Sequence, residues 1–246
     1  MDLQDKKVGA GLPRVVYLHG LGSSPISAKA ELITHYLADR GFSVDTPDLN
    51  LPSFELLSPT LIVRAVAEII STKSNVEPGG GLDIVGSSFG GFIALQVLAA
   101  LRPEIRRRIG RLVLLAPAID PWHPKSDLLS PEIEERWRAA GTMPLFHHGL
   151  GREILVHYAF VEELRLLTKR QAIPTIPTLL VHGTRDDVVS YEQSVHLAEL
   201  CPTAQLVLTD DGHDLLSNPQ QLVRLVGDFL SGAPIDIPET ERRGSS

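Results

Sequence analysis

Two serines stand side by side in "IVGSSFGG" (residues 84–91), among small and flexible neighbours. A serine hydroxyl is a poor nucleophile at neutral pH. It becomes a good one when a base lies within hydrogen-bond reach and a carboxylate orients that base. The preceding "GLDIV" is apolar, and the following "FIALQVLAALR" carries apolar residues at helical spacing. The pair therefore sits where a buried strand turns sharply into a buried helix, the setting of the nucleophile elbow G-x-S-x-G. An elbow holds its serine in a strained backbone position, so the residues two before and two after are small. Ser88 has that frame in Gly86 and Gly90. Ser87 lacks it, because Gly86 directly precedes it and Phe89 stands two after it. The motif is short, and a plain Gly/Ser turn would read the same in isolation.

The remaining parts of a nucleophilic site occur further along. His213, in "TDDGHDL", follows the last strand-like segment, and a loop at the carboxyl end of a strand is where parallel-sheet proteins place their sites. It is the candidate base. In "LLVHGTRDDVVS" the strand ends at His182 and Gly183, and Asp186 and Asp187 follow. Asp186 is the candidate orienting acid; a pair of turn aspartates, one capping the next helix, is the alternative. His182 reads as a strand-end residue with a satisfied ring. An oxyanion needs two preorganised N–H donors. These are expected from Phe89, after the nucleophile, and from Leu21 in "YLHGLGSSP", where His19 and Gly20 shape the loop. That loop lacks the third glycine of a dinucleotide fingerprint, and no Walker loop occurs. The resulting chain order is oxyanion loop, Ser88, Asp186, His213.

The elements that would position these residues alternate. "RVVYLHG", "FSVDTPDL", "GLDIVG", "RLVLLAP", "TIPTLLVHG" and "AQLVLTDDGH" read as six strands, with helical segments between them. The first helix is expected from a Ser24 cap to a Gly41 stop, and the last from an Asn218 cap with Pro219 in its first turn. Near-continuous apolar strands alternating with helices imply an α/β fold: a mainly parallel sheet covered on both faces. Between 121 and 171 the alternation stops, and helical pieces occur without a core-type strand. This segment is expected to be a small inserted helical cap on a single domain. Of its large apolar residues, Trp122, Phe146 and Phe160 are the candidates for a substrate pocket.

The 246 residues can bury a large core. The net charge of −7 argues against a nucleic-acid partner, and the basic run 102–111 reads as a solvated helix end. Cys201 is the only cysteine, so intramolecular disulfides and two-cysteine metal sites are excluded. The first residues have no apolar signal core and no run of 18 apolar residues exists, so a cytoplasmic protein without a membrane span is expected. The polar tail 232–246 reads as flexible. Composition says nothing of oligomeric state.

The order serine, acid, histidine, each after a strand, resembles that of α/β-hydrolases, and the likeness covers residues 14–230. Within that superfamily, "LHGLGSSPISAKAELI" with "GSSFGG" is similar to the YqiA-like esterases, which carry a comparable Ser-Ser-Pro, x, Ser, x, Lys-Ala run. "PLFHHGLGREILVHYAFVEELR" and "HGTRDDVV" resemble a depalmitoylating thioesterase family, although Ser190 stands where many relatives have proline. These likenesses imply a serine hydrolase of small-molecule esters or thioesters that works through an acyl-enzyme without cofactor or metal. Other activities on the fold remain open at this point: peptidase, acyltransferase, C–C hydrolase, or a binding protein without turnover.

Overall fold

Successive side chains of a strand point to opposite faces, so an apolar strand buried on both sides feeds two cores. The computed structural model describes residues 12–74, 81–125 and 129–235. In chain order, β1 (Arg14–Leu18), α1 (Ala28–Ala38), β2 (Ser43–Asp45), α2 (Pro59–Ser74), β3 (Leu82–Ser87), α3 (Phe89–Ala100), a short α4 (Pro103–Arg106) and β4 (Ile109–Leu115) form the first half. After an insert come β7 (Thr178–Gly183), α7 (Glu192–Leu200), β8 (Ala204–Thr209) and α8 (Pro219–Ser231); the insert holds α5 (Pro131–Ala140), β5 (Thr142–His147), β6 (Arg152–His157) and α6 (Ala159–Thr168). Six parallel strands make one sheet in the order β2-β1-β3-β4-β7-β8.

Val16, Leu18, Ile84, Leu112, Leu114 and Leu180 face one core, with Ile62, Val66 and Ile70 of α2 and Phe92, Ile93 and Leu95 of α3. Val15, Tyr17, Val85, Val113, Leu115 and Val181 face the other, with Ile33 and Leu37 of α1 and Leu222, Val226 and Phe229 of α8. The chain runs from β1 outward to β2 and then returns to place β3 on the other side of β1. The carboxyl ends of β1 and β3 therefore flank a switch point, where open parallel sheets bind ligands. This is the α/β-hydrolase fold. Among the described residues no helix is long and apolar enough to cross a membrane.

Two expectations need correction. Helix α1 begins later than Ser24: Ser27 is its cap, accepting from the Ala30 amide, and Pro25 lies in the preceding loop. The insert is not wholly helical, because β5 and β6 pair as an antiparallel hairpin with Leu145 opposite Ile154 and Met143 opposite Val156. The expected tail lies, from residue 236 on, outside the described residues.

Candidate active site

Four strand ends converge on one place. At the end of β3 the chain must reverse into α3 within one residue, and Ser88 takes φ 54°, ψ −117° to do so. This positive φ is costly for a residue with a side chain. The two flanking glycines make the turn possible by close approach. A Cβ on Gly86 would stand 2.6 Å from the Gly90 carbonyl oxygen, and one on Gly90 would run into the Leu18 carbonyl of β1.

The loop after β8 brings His213 over the elbow. Its Nε2 lies 2.9 Å from Ser88 Oγ, and its Nδ1 lies 2.7 Å from Asp186 Oδ2. A carboxylate only accepts, so Nδ1 carries the proton and Nε2 is left to accept from the serine hydroxyl. Asp186 lies in the turn after β7, with a fully buried side chain. Its Oδ1 accepts from the Val188 and Val189 amides at 2.9 and 2.8 Å. Its Oδ2 accepts from His213 and, at 3.1 Å, from His182. Burial opposes charge on this carboxyl. The hydrogen bonds from His182 and His213, the His213 charge and the Val189 amide outweigh burial and hold it well below the usual carboxylate range. His182 is buried, its Nδ1 2.7 Å from Ser194 Oγ and its Nε2 also 3.0 Å from the Val189 carbonyl. It braces the acid and does not reach Ser88. Asp187 is exposed.

The loop after β1 supplies the facing wall. His19 is buried and kept neutral chiefly by that burial; Nδ1 bonds the Gly20 carbonyl, and Nε2 accepts from the Leu49 amide at 2.9 Å. Gly20 lies against Ser88, with room of only 3.5 Å from its would-be Cβ to that of the serine. The Leu21 and Phe89 amides donate to no acceptor among the described turns, loops and caps. Both residues border the pocket beside Ser88.

That pocket is apolar and about 100 Å³ in volume. Phe92, Ala118, Pro121, Leu129, Trp137, Leu145, Phe160 and Leu164 complete its lining. Phe160 is 5.8 Å from the Phe89 ring and 6.0 Å from that of Trp137. Of the three candidates, Phe160 lines this pocket and Phe146 and Trp122 do not. Phe146 is half exposed and packs edge-on against His148, because on a strand its neighbour Leu145 takes the inward position. Trp122 bonds the Glu134 carboxylate at 2.8 Å, with the Arg165 guanidinium over its ring; both hold it in the insert's scaffold, off the pocket. Trp137 and Leu145 were visible only as apolar residues of the insert; strand alternation over "TMPLFH" is the signal that selects Leu145. Among the described residues no cluster of three or more His, Cys, Asp or Glu is placed to hold a metal.

The chain is 30% identical over 182 residues to the 2-hydroxymuconate semialdehyde hydrolase of Pseudomonas sp. (strain CF600), an alignment spanning 61% of this chain and 62% of that enzyme. It therefore spans less than two thirds of that relative's length. It is 23% identical over 219 residues to the mitochondrial palmitoyl-protein thioesterase ABHD10 of Mus musculus, covering 86% of this chain and 72% of the relative. The ferulic-acid-bound esterase Est1E of Butyrivibrio proteoclasticus superimposes with a TM-score of 0.72 at 18% identity, covering 89% and 88% of the two chains. The relatives are hydrolases, and the shared architecture is theirs. The profile of the uncharacterised protein family UPF0227 matches residues 14–229, and the chain belongs to that family.

Proposed function

We propose that the protein is a serine hydrolase that cleaves carboxylic esters or thioesters through an acyl-enzyme. The observation that carries this reading is the unbroken chain Ser88 Oγ to His213 Nε2 at 2.9 Å and His213 Nδ1 to Asp186 at 2.7 Å, opening onto an apolar pocket. Ser88 Oγ attacks the acyl carbonyl while His213 Nε2 takes its proton. The negative oxygen of the tetrahedral intermediate lies against the Leu21 and Phe89 N–H groups. Collapse of the intermediate expels the alcohol or thiol, which leaves with the proton from His213. A water then attacks the acyl-enzyme with His213 as base, releasing the carboxylic acid and restoring Ser88. Asp186 keeps the imidazole in the required tautomer and stabilises its charged form.

The test is labelling by a fluorophosphonate together with hydrolysis of p-nitrophenyl esters and acyl-CoA thioesters. Ser88→Ala should abolish both turnover and labelling, whereas Ser87→Ala should still label. Labelling of a folded Ser88→Ala protein at the wild-type rate would overturn the assignment.

A further inference from the structure

We propose that Lys29 is a positioning residue that fixes the backbone of His213 over the elbow; this rests on the reading of Ser88, His213 and Asp186 given above. Lys29 lies in the first turn of α1, two residues after the capping Ser27, and is separated from His213 by 184 positions. Its Nζ donates to Ser87 Oγ at 3.2 Å and to the His213 carbonyl at 3.4 Å. Among the described residues it is the one hydrogen-bond donor to that carbonyl. Lys29 therefore ties Ser87, the last residue of β3 beside the elbow, to the histidine loop.

Stability does not account for this lysine. No carboxylate lies within ion-pair distance of Nζ among the described residues. Two neutral oxygens hold an ammonium whose removal from water is costly. Burial pulls its pKa down to about 8, against the opposing pull of Asp214, Asp186 and Asp211. The place where the charge is spent is informative. The loop needs support there, since Leu215, two residues past His213, is a buried non-glycine residue at φ 57°. Asp211 anchors the loop's base through the Gly212 and Ser217 amides and the Ser217 hydroxyl. Lys29 holds the backbone carbonyl of the residue that carries the imidazole. It also gives the second serine of the pair a role: Ser87 is the acceptor that aims the lysine.

A misplacement near 1 Å of a reacting group costs about a hundredfold in rate. Lys29→Met, which keeps length and removes both hydrogen bonds, should lower kcat on p-nitrophenyl butyrate by about 10- to 100-fold. KM should stay within about twofold, and fluorophosphonate labelling should slow in parallel. Lys29→Arg should recover part of the loss, and ethylammonium should restore part of the activity of Lys29→Ala. A folded Lys29→Met protein with wild-type kcat would overturn the proposal, as would a loss matched by a lower folded fraction. If Lys29→Met fails to fold, the Lys29→Ala protein decides: ethylammonium that restores its thermal midpoint but not its kcat refutes positioning. If the wild type neither labels at Ser88 nor hydrolyses esters, the reading of the site itself fails. Wild-type turnover with an indifferent Lys29 removes only this inference.

Discussion

Both oxygens of the Asp186 carboxylate are filled, two donors on each, and this decides what a substitution there does. An asparagine must place its NH2 either against the Val188 and Val189 amides or against the two imidazoles. Either way donors face donors; His213 loses the negative charge that stabilises its charged form and, where the NH2 faces it, the acceptor that fixes its tautomer. Asp186→Asn should therefore lower kcat by about 10²- to 10⁴-fold, the upper value being that of a serine-protease triad. Asp187→Asn, at an exposed position, should change it little; kcat for both folded variants at pH 7 checks the assignment, and a dead Asp187→Asn would move the acid by one residue. Asp83, near the start of the elbow strand β3, behaves oppositely. Burial raises its pKa to about 6, against the Arg111 amide at 2.7 Å and the Arg111 charge. A carboxyl whose folded pKa lies above its unfolded one binds its proton more tightly in the fold, so stability is lost as pH rises from about 4 to about 6. The loss should be on the order of 1–3 kcal/mol. The stability difference between Asp83→Asn and wild type should widen over that interval in urea titrations. A difference that is flat with pH would show that Asp83 does not titrate there.

The elements add a coupling that single residues do not reveal. The hairpin of β5 and β6 rests on the loop after β1, which carries the proposed oxyanion donor Leu21: the His148 amide donates to the Gly22 carbonyl at 2.6 Å, and a Cβ on Gly22 would collide with the Phe146 carbonyl. Gly22 also has φ +63°. Gly22→Ala must therefore shift the hairpin or the loop, and with it the Leu21 amide. Displacing one oxyanion donor costs about 10²- to 10³-fold at the extreme, so a loss of about tenfold or more in kcat is expected. Gly151→Ala is the control. It has a similar φ of +64° but open space at its Cβ, and it should lower the thermal midpoint while sparing kcat. Equal kcat losses in both variants would mean strain, not the contact, is responsible. The hairpin shows where legibility ended. Its strands alternate and are joined across Gly149 and Gly151, yet its helical neighbours α5 and α6 dominated the reading of the whole segment. In α2 the sequence puts Leu61, Ile62, Ala65, Val66, Ile69 and Ile70 on one helical stripe, and of these Ile62, Val66 and Ile70 are buried. Leu61 is 39% exposed and Val63 takes the core position, because periodicity gives a stripe but not which edge of it the sheet covers. Strand-end chemistry was legible because parallel strands, short and apolar, announce their own carboxyl ends. Lys29 was written in the motif but its partners, 58 and 184 positions away, were not.

At the scale of the molecule, the pocket exists only between two parts of the chain. The sheet side supplies Ser88, Phe89 and Phe92, and the insert supplies Trp137, Leu145 and Phe160. The insert has its own internal lock. The buried Glu134 of α5 takes hydrogen bonds from Trp122 and Tyr158 and ion pairs from Arg138 and Arg165. Burial opposes its charge, but those bonds and the Arg165 charge bring its pKa down to about 2. A depressed carboxyl stabilises the fold above its unfolded pKa and ceases to as pH falls through the folded one. The stability gap between wild type and Glu134→Gln should thus be full at pH 7 and shrink between about 4.5 and about 2. A lock of this kind keeps the pocket at its observed size. About 100 Å³ is less than the roughly 150 Å³ of an engineered apolar cavity that takes up benzene. An acyl group of about two to six carbons fits that space without moving the insert. Wild type should therefore hydrolyse p-nitrophenyl butyrate with a higher kcat/KM than the palmitate ester. Leu145→Ala and Phe160→Ala remove pocket wall and should move the optimum to longer chains, at a stability cost of about 2–5 kcal/mol. Phe146→Ala, whose ring faces outward, should leave the profile where it was. An optimum at palmitate in the wild type, unmoved by Phe160→Ala, would mean that long chains bypass this pocket and that the insert does not measure the acyl group.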